Sequence, residues 1–207
     1  MAQTIPYYFS VISPWAYLGH AEFVALAKRR ELTIDYRPVD LGRLFGETGG
    51  LPLAKRHAAR QRYRMLELQR WRERRDIPLV LRPRHWPFNA SLADRLVIAV
   101  ARSGADVETY LPFVFRAVWA EQQDVADSEV LAAILDRNGL DGAGLLPAAD
   151  SAPVAAQYDR NFEDAVAGGV FGSPTYVLEG ENFWGQDRLD LLEEAIVSRR
   201  KPFTPNV

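Results

Sequence analysis

The two ends of the chain have the patterns of β-strands. Residues 4 to 12 form a run rich in aromatic and β-branched residues, residues 14 to 30 have helical periodicity, and TIDYRPVDL from Thr33 predicts a second strand. Because a helix separates these two strands, we expect them to be parallel. Near the other end, SPTYVLEGENFWG predicts a β-hairpin, followed by a last helix from Asp187.

The middle of the chain is predicted to be helical. A glycine-rich stretch from Gly42 to Pro52 predicts a loop, and the helices that follow are predicted up to Arg75, from Ser91 to about Arg102, from about Glu108, over 128–139 and over 151–167. A βαβ unit followed by a ββα unit makes a mixed four-stranded sheet flanked by helices. This α/β layout is that of a thioredoxin-like domain with a large all-helical insertion.

We expect the chain to form two domains. One is a discontinuous thioredoxin-like domain (1–60 and 165–207), and the other is an inserted helical domain (61–164). A cleft between the two parts is the expected position of a ligand.

The composition excludes several kinds of site. The 207 residues include no cysteine, so disulfides, thiolate metal sites and redox chemistry by the protein's own sulfur are ruled out, and any thiol must be borrowed. The three histidines have no i, i+4 spacing, and we expect no metal. No apolar run is long enough to span a membrane, and MAQTIPYYF lacks a basic region followed by an apolar one, so we expect a cytoplasmic protein without membrane contact.

Positive charge is concentrated in one segment. Residues 55 to 75 contain nine Lys or Arg against two Glu, although the chain as a whole has a formal net charge of -2. One interpretation is a solvated helix, because the basic residues at 60, 62 and 64 point to different sides. Another is an electropositive rim that attracts small anions. Nucleic-acid binding is not expected, since the pI is only about 6.0.

Ser13 lies at a junction between strand and helix, in YFSVISPWAYLGH. Serine followed by proline is a good N-cap and first-turn pair, and capping alone explains the choice. A helix N-terminus also stabilises anions, so Ser13 is alternatively a hydrogen-bond donor to a bound thiolate, whose pKa it would lower. An acyl-enzyme mechanism is not expected, because no GxSxG elbow or histidine partner accompanies this serine.

Two later stretches also allow both a structural and a functional interpretation. GSPT, ahead of the strand TYVL, is either a turn or, by likeness to the thioredoxin arrangement, a cis-proline loop lying against the N-terminus of the first helix. In FWGQDRLDLLE, Asp187 and Asp190 suggest a capping pair. The functional alternative is a loop from Trp184 to Asp187 that holds the charged end of a ligand.

Taken in order, five motifs resemble those of 2-hydroxychromene-2-carboxylate isomerases. They are YFSVISPWAYLGH, the spacing of Tyr63, Glu67 and Arg70 in YRMLELQRW, RPRHWPFN, GVFGSPT and FWGQDRLDLLE. This family is related to kappa-class glutathione transferases within the DsbA-like thioredoxin superfamily. The resemblance extends from about residue 5 to 198.

The resemblance implies a glutathione-dependent enzyme with reduced glutathione as cofactor. In the family reaction, a chromene hemiketal carboxylate and its open trans-benzylidenepyruvate interconvert through reversible thiolate addition. Ser13 would be the catalytic residue that holds the sulfur as a thiolate, and the Ser173–Pro174 bond would be cis. The residues implied in binding glutathione are Ser13, Ser173, Pro174, Trp184, Gly185, Gln186 and Asp187.

The resemblance also implies a small aromatic carboxylate as substrate. The positions that correspond most nearly to the family's substrate-binding residues are Phe45, Lys55, Arg56 and Trp86. Phe45 stands where the naphthalene-pathway isomerases have a lysine. Arg60 is a further candidate for substrate binding, because it belongs to a cationic rim that would attract the carboxylate. Relatives are commonly dimers, and we expect a homodimer.

Two other functions fit the same fold. A kappa-like glutathione transferase would release the conjugate and consume glutathione, which a product assay detects. A non-catalytic peptide-binding or chaperone module would have kept the thioredoxin scaffold and lost its cysteines, and it would tolerate replacement of Ser13 by alanine.

Overall fold

A computed structural model describes residues 3–205. Within this range the strands are β1 (Thr4–Phe9), β2 (Thr33–Pro38), β3 (Thr175–Leu178) and β4 (Glu181–Trp184). The α-helices are α1 (Pro14–Arg29), α2 (Leu41–Thr48), α3 (Ala58–Arg75), α4 (Ser91–Ser103), α5 (Leu111–Trp119), α6 (Ser128–Arg137), α7 (Gly142–Ala149), α8 (Ala152–Ala167) and α9 (Leu189–Ser198). Short 3-10 helices cover Leu53–Lys55, Val107–Thr109 and Gln186–Arg188.

The sheet has the strand order β2-β1-β3-β4. β1 is parallel to β2, with Thr4 opposite Thr33, and antiparallel to β3, with Tyr7 opposite Tyr176. β3 and β4 form the predicted hairpin. The predicted mixed four-stranded α/β sheet is confirmed, and it places the carboxyl end of the central strand β1 beside the start of β3.

Aromatic side chains of β1 form the centre of the core. The ring of Tyr7 stacks on Phe9 and on Tyr176, with centroids 4.5 and 5.3 Å apart, and it contacts Phe23 of α1 at 5.0 Å. Tyr7, Phe9 and Phe23 are completely buried. Such offset and tilted aromatic contacts add to the burial of apolar area and hold α1 against the sheet.

The helices between the two halves of the sheet pack on this same core. Leu96 and Val97 of α4, and Phe115 and Trp119 of α5, belong to one hydrophobic cluster with β1 and α1. The expected domain boundaries at 60/61 and 164/165 fall inside α3 and α8. The division into two domains stays a prediction.

The prediction of a loop over Gly42 to Pro52 was wrong in its first half, which is the helix α2. The carboxylate of Asp40 accepts hydrogen bonds from the amides of Gly42 and Arg43 at 2.8 and 3.1 Å, so the helix has a complete N-cap. Its Leu44 is buried. Capping and one buried leucine outweigh the low helix propensity of the glycines.

Two other helices differ from the prediction. The helix α7 was not predicted, because GAGLLPAA contains two glycines and Pro147. Asp141 caps it by accepting from the amide of Gly144 at 3.0 Å. The helix predicted from about Glu108 begins as a 3-10 turn, and α5 itself starts at Leu111, which leaves Pro112 in the first turn.

We expect Gly19→Ala to lower the free energy of unfolding by about 1–3 kcal/mol, because a Cβ at Gly19 would lie 2.5 Å from Cβ of Gln186. The matched control is Gly46→Ala in α2, where a Cβ has no atom within 4 Å. It should stabilise the protein by up to about 1 kcal/mol through helix propensity. Urea denaturation of both variants measures the difference, and equal effects would contradict close packing of α1 on the 3-10 turn.

Candidate active site

Ser13 is the N-cap of α1, as its sequence context predicted. Its backbone is extended, with φ -90° and ψ 115°, and its Oγ accepts a hydrogen bond from the amide of Ala16 at 3.2 Å. The same hydroxyl donates to the carbonyl oxygen of Ser173 at 3.1 Å. Only 5% of Ser13 is exposed. Capping therefore accounts for one of the two hydrogen bonds of this hydroxyl, and the second joins it to the proline loop.

The first turn of α1 has one amide left for a ligand. Pro14 has no N–H, the amide of Ala16 binds the Ser13 hydroxyl, and the amide of Tyr17 binds the Ser13 carbonyl at 3.2 Å. The amide of Trp15 has no partner within residues 3–205. At the positive end of a 16-residue helix, this amide and the Ser13 hydroxyl can both donate to an anion.

The peptide bond between Ser173 and Pro174 is cis, as predicted. The Oγ of Ser173 accepts from the amide of Ser10 at 3.3 Å, and the hydroxyl of Thr175 donates to the carbonyl of Gly172 at 2.8 Å. The loop therefore lies directly against the end of β1. The bond between Trp86 and Pro87 is also cis, which the sequence analysis did not predict.

Side chains from distant parts of the chain bind the segment between β1 and Ser13. The carboxylate of Asp94 accepts from the hydroxyl of Ser10 at 2.7 Å and from the amide of Val11 at 2.9 Å. The indole N–H of Trp119 donates to the Val11 carbonyl at 3.0 Å. The backbone before Ser13 is thus held on both its donor and its acceptor sides.

Sequence reasoning missed Asp94 and Trp119. The available signal for Asp94 was a single acid among apolar residues in SLADRLVIAV, on the helix α4. Burial raises the pKa of Asp94 to about 7, while hydrogen bonds from Val11, Ser10 and Tyr158 act in the opposite direction. The tyrosine hydroxyl donates to Oδ2 of Asp94 at 3.2 Å.

The segment from Trp184 to Asp187 adjoins the cis-proline loop. The amide of Gly185 donates to the Pro174 carbonyl at 2.9 Å, with Gly185 in a positive-φ conformation at 107°. The Trp184 indole is 51% exposed and lies over Gly172, where an added Cβ would come within 2.2 Å of Nε1. The predicted glutathione-binding residues that lie together are therefore Ser13, Ser173, Pro174, Trp184 and Gly185, of which the first three are buried and Trp184 is exposed.

The other two predicted residues of this group are placed differently. Gln186 is 2% exposed, and its Oε1 accepts from the Arg75 guanidinium at 3.1 Å. Its backbone carbonyl also accepts from Arg75, at 3.2 Å, so only the backbone amide of Gln186 remains for a ligand. Asp187 forms an ion pair with Arg188 at 2.8 Å and is partly exposed. Their roles in binding stay predictions.

The predicted substrate-binding residues Phe45 and Arg56 are in contact. The Arg56 guanidinium lies 5.8 Å from the centre of the Phe45 ring, and its Nε donates to the Leu51 carbonyl at 2.7 Å. Lys55 and Arg60 are exposed. Solvent strongly screens the charge of an exposed side chain. Lys55 and Arg60 therefore contribute to the long-range electrostatic field around the site.

Trp86 connects this region to Ser13. Its indole N–H donates to the carbonyl of Ile12, the residue before Ser13, at 3.2 Å. The guanidinium of Arg64 lies over the Trp86 ring at 5.4 Å. Sequence analysis did not single out Arg64, although its spacing of four from the buried Leu68 places it on the inner face of α3.

The chain is similar to known families and solved structures. A sequence model described as DSBA-like thioredoxin domain matches residues 4–197. A 2-hydroxychromene-2-carboxylate isomerase of Pseudomonas putida is 33% identical over 196 residues, which cover 93% of each protein. A solved structure of 2-hydroxychromene-2-carboxylate isomerase superposes with a TM-score of 0.83 and 30% identity, covering 95% of this chain and 96% of that one.

The chain belongs to the 2-hydroxychromene-2-carboxylate isomerase family. Its fold is accordingly the thioredoxin-like DsbA fold, as predicted. The isomerase of Sphingobium xenophagum is 29% identical over 199 residues, 95% of this chain and 100% of that protein. The cytosolic disulfide reductase DsbM from Pseudomonas aeruginosa, solved with GSH, shares only the fold, with 18% identity and a TM-score of 0.70.

The described part of the chain offers neither a metal site nor a membrane-spanning helix. Across residues 3–205, no group of three or more His, Asp or Glu is placed to hold a metal ion. In the same range, no helix combines the length and the apolar character that crossing a membrane requires.

For this member of the isomerase family we expect stability to depend on Asp94. The pKa of its carboxyl rises from 3.8 to about 7 on folding, so this stabilising contribution is complete below about pH 4 and is lost as the pH rises through 7. In Asp94→Asn this pH dependence is absent. The free energy of unfolding of the variant, relative to the wild type, should therefore increase by about 4 kcal/mol between pH 4 and 8.

Urea denaturation across this pH range measures the effect. Tyr158→Phe is the matched variant, because it removes one donor to the carboxylate and should shift the midpoint of the pH profile upward. Parallel profiles for the wild type and Asp94→Asn would show that Asp94 does not titrate with folding.

Proposed function

We propose that this protein is a glutathione-dependent isomerase of 2-hydroxychromene-2-carboxylate or of a related aromatic enone or hemiketal carboxylate. The observation that carries the proposal is the contact between the Ser13 hydroxyl, at the N-terminus of α1, and the carbonyl of Ser173, the residue before cis-Pro174. Two relatives at 32 and 33% identity bear the isomerase name, which supports the reaction class.

The donors around Ser13 fit the sulfur of reduced glutathione. The protein has no cysteine of its own, so nothing in the chain can supply a thiolate at this helix end. The Trp15 amide and the Ser13 hydroxyl would donate to the sulfur, and the helix dipole would favour its ionised form.

Binding a thiolate requires one rearrangement of hydrogen bonds. The Ser13 hydroxyl has a single proton, which is donated to the Ser173 carbonyl in this structure. When this proton turns to the sulfur, the Ser173 carbonyl becomes free to accept an amide N–H of the tripeptide. The segment Trp184–Asp187 would hold its γ-glutamyl end, with exposed Trp184 as an apolar wall.

The chain's remaining task is to hold and polarise the substrate. Bound glutathione would supply a thiolate that adds reversibly to the conjugated double bond of the substrate, which then rotates as a single bond. The basic residues Lys55, Arg56 and Arg60 attract the carboxylate and stabilise the negative charge that develops on the substrate. Trp86, held by the Ile12 carbonyl, offers a flat apolar face beside Ser13.

We expect Ser13→Ala to reduce turnover by about 100-fold or more, because one of two donors to the sulfur is lost. The variant also loses a helix cap, worth about 1 kcal/mol. Asp127→Ala is the control, since Asp127 caps α6 by accepting from the Glu129 amide at 2.8 Å. It should lose similar stability and keep full activity. Unchanged turnover in Ser13→Ala would contradict the proposed catalytic role.

The test of the cofactor is a calorimetric titration with reduced glutathione, using oxidised glutathione as the control ligand. Saturable binding of the reduced form supports the proposal, and absence of binding of both forms at millimolar concentration contradicts it. An assay of total glutathione after turnover then separates the reactions. Recovery of all glutathione is expected for an isomerase, whereas stoichiometric consumption would indicate a kappa-like transferase. The homodimer stays a prediction.

A further inference from the structure

Arg64 is a partly buried cation without a counter-charge. Two other arginines of α3 have carboxylate partners, since Arg70 pairs with Glu67 and Arg75 pairs with Glu22. Within residues 3–205, the side chain of Arg64 has no hydrogen bond or ion pair, and its recorded contact is the face of Trp86. Removing a cation from water without pairing it costs free energy of solvation. An unpaired, partly buried arginine therefore indicates a ligand that would supply the missing negative charge.

The surroundings of Arg64 increase this cost. Burial and, second to it, the positive charge of Arg56 together lower the pKa of Arg64 to about 10. Arg56 is itself held in place by the Leu51 carbonyl and lies over the Phe45 ring. Two guanidinium groups and two aromatic rings therefore surround one region, and an anion bound there would offset the repulsion between the cations.

This region adjoins Ser13. The Trp86 ring under Arg64 is fixed by its hydrogen bond to the carbonyl of Ile12, one residue before Ser13. A ligand between Arg64 and the thiolate position would lie along Trp86. The combination of a planar cation and flat apolar faces suits an aromatic acid.

We propose that Arg64 is the residue that binds the carboxylate of the aromatic substrate, with Trp86 and Phe45 against the substrate's ring system. This inference rests on the proposed isomerase function, whose site it extends. A guanidinium can bind a carboxylate through two parallel hydrogen bonds, which orients the acid as well as attracting it. The exposed Lys55 and Arg60 supply long-range attraction, and Arg64 supplies selectivity for carboxylates.

The experiment measures binding of chromone-2-carboxylate, a stable bicyclic acid, and of neutral chromone by calorimetry. The wild type should bind the acid at least about 10-fold more tightly than chromone. Arg64→Gln should weaken binding of the acid by about 10- to 100-fold and leave chromone binding unchanged. Arg64→Lys should retain part of the preference, because it keeps the charge and loses the two-pronged geometry.

Arg62→Gln is the matched control, since Arg62 is exposed on the same helix and its replacement changes the net charge equally. It should bind both ligands as the wild type does. The proposal is overturned if the wild type has no preference for the acid, if Arg64→Gln keeps that preference, or if Arg62→Gln loses as much. If Arg64→Gln does not fold by circular dichroism, the comparison of Arg64→Lys with the wild type decides, and undiminished preference overturns the proposal.

Measurements of turnover distinguish the role of Arg64 from the proposed isomerase function. With chromene carboxylate as substrate, Arg64→Gln should raise KM by a factor similar to its loss in acid binding and leave the glutathione dissociation constant within about twofold. A wild type that prefers the acid through Arg64 but has no isomerase activity would refute the proposed function while keeping the anion site. An active enzyme whose KM does not change in Arg64→Gln would refute the role of Arg64 and leave the proposed isomerase function intact.

Discussion

The buried carboxylate of Asp94 holds the segment on which the site depends. Its two oxygens accept from the Ser10 hydroxyl and the Val11 amide, three residues or fewer before Ser13. Without these bonds the turn after β1 would leave one buried backbone amide and one buried hydroxyl unpaired, at a cost of about 1–3 kcal/mol each. The position of the Ser13 hydroxyl therefore depends on α4, a helix far away in the sequence.

Ser13 lies where a helix cap and an anion site coincide. A helix cap needs a short polar side chain that accepts a hydrogen bond, and an anion site needs a donor at the same helix end. The hydroxyl can meet both needs, because it accepts from the Ala16 amide and its proton, donated to the Ser173 carbonyl in this structure, can turn to a bound anion. A cysteine-free chain with this arrangement can hold a thiolate without forming a disulfide with it.

The substrate side of the site is built by indirect contacts. Phe45, Arg56, Arg64 and Trp86 come from four separate segments. Arg56 lies over the Phe45 ring, Arg64 lies over the Trp86 ring, and the two guanidinium groups are near enough to repel each other. Trp86 then joins the series to Ile12. Recognition of an aromatic acid in such an arrangement comes from the combination of desolvated charge and flat surfaces, whereas the exposed Lys55 and Arg60 act through a longer-range field.

By itself, the sequence determined the strands, the hairpin and most helices, because these rest on local periodicity, capping and turn chemistry. The pairing of SPWA with GSPT came from the likeness to the thioredoxin arrangement. Sequence analysis missed α2 and α7, whose glycines suggested loops until the caps Asp40 and Asp141 were seen in place. Only the tertiary structure decided that Asp94 holds the turn before Ser13, that Gln186 is occupied by Arg75 and that Arg64 is unpaired beside Trp86. The burial and the partner of a polar side chain depend on residues distant in sequence, which no local pattern encodes.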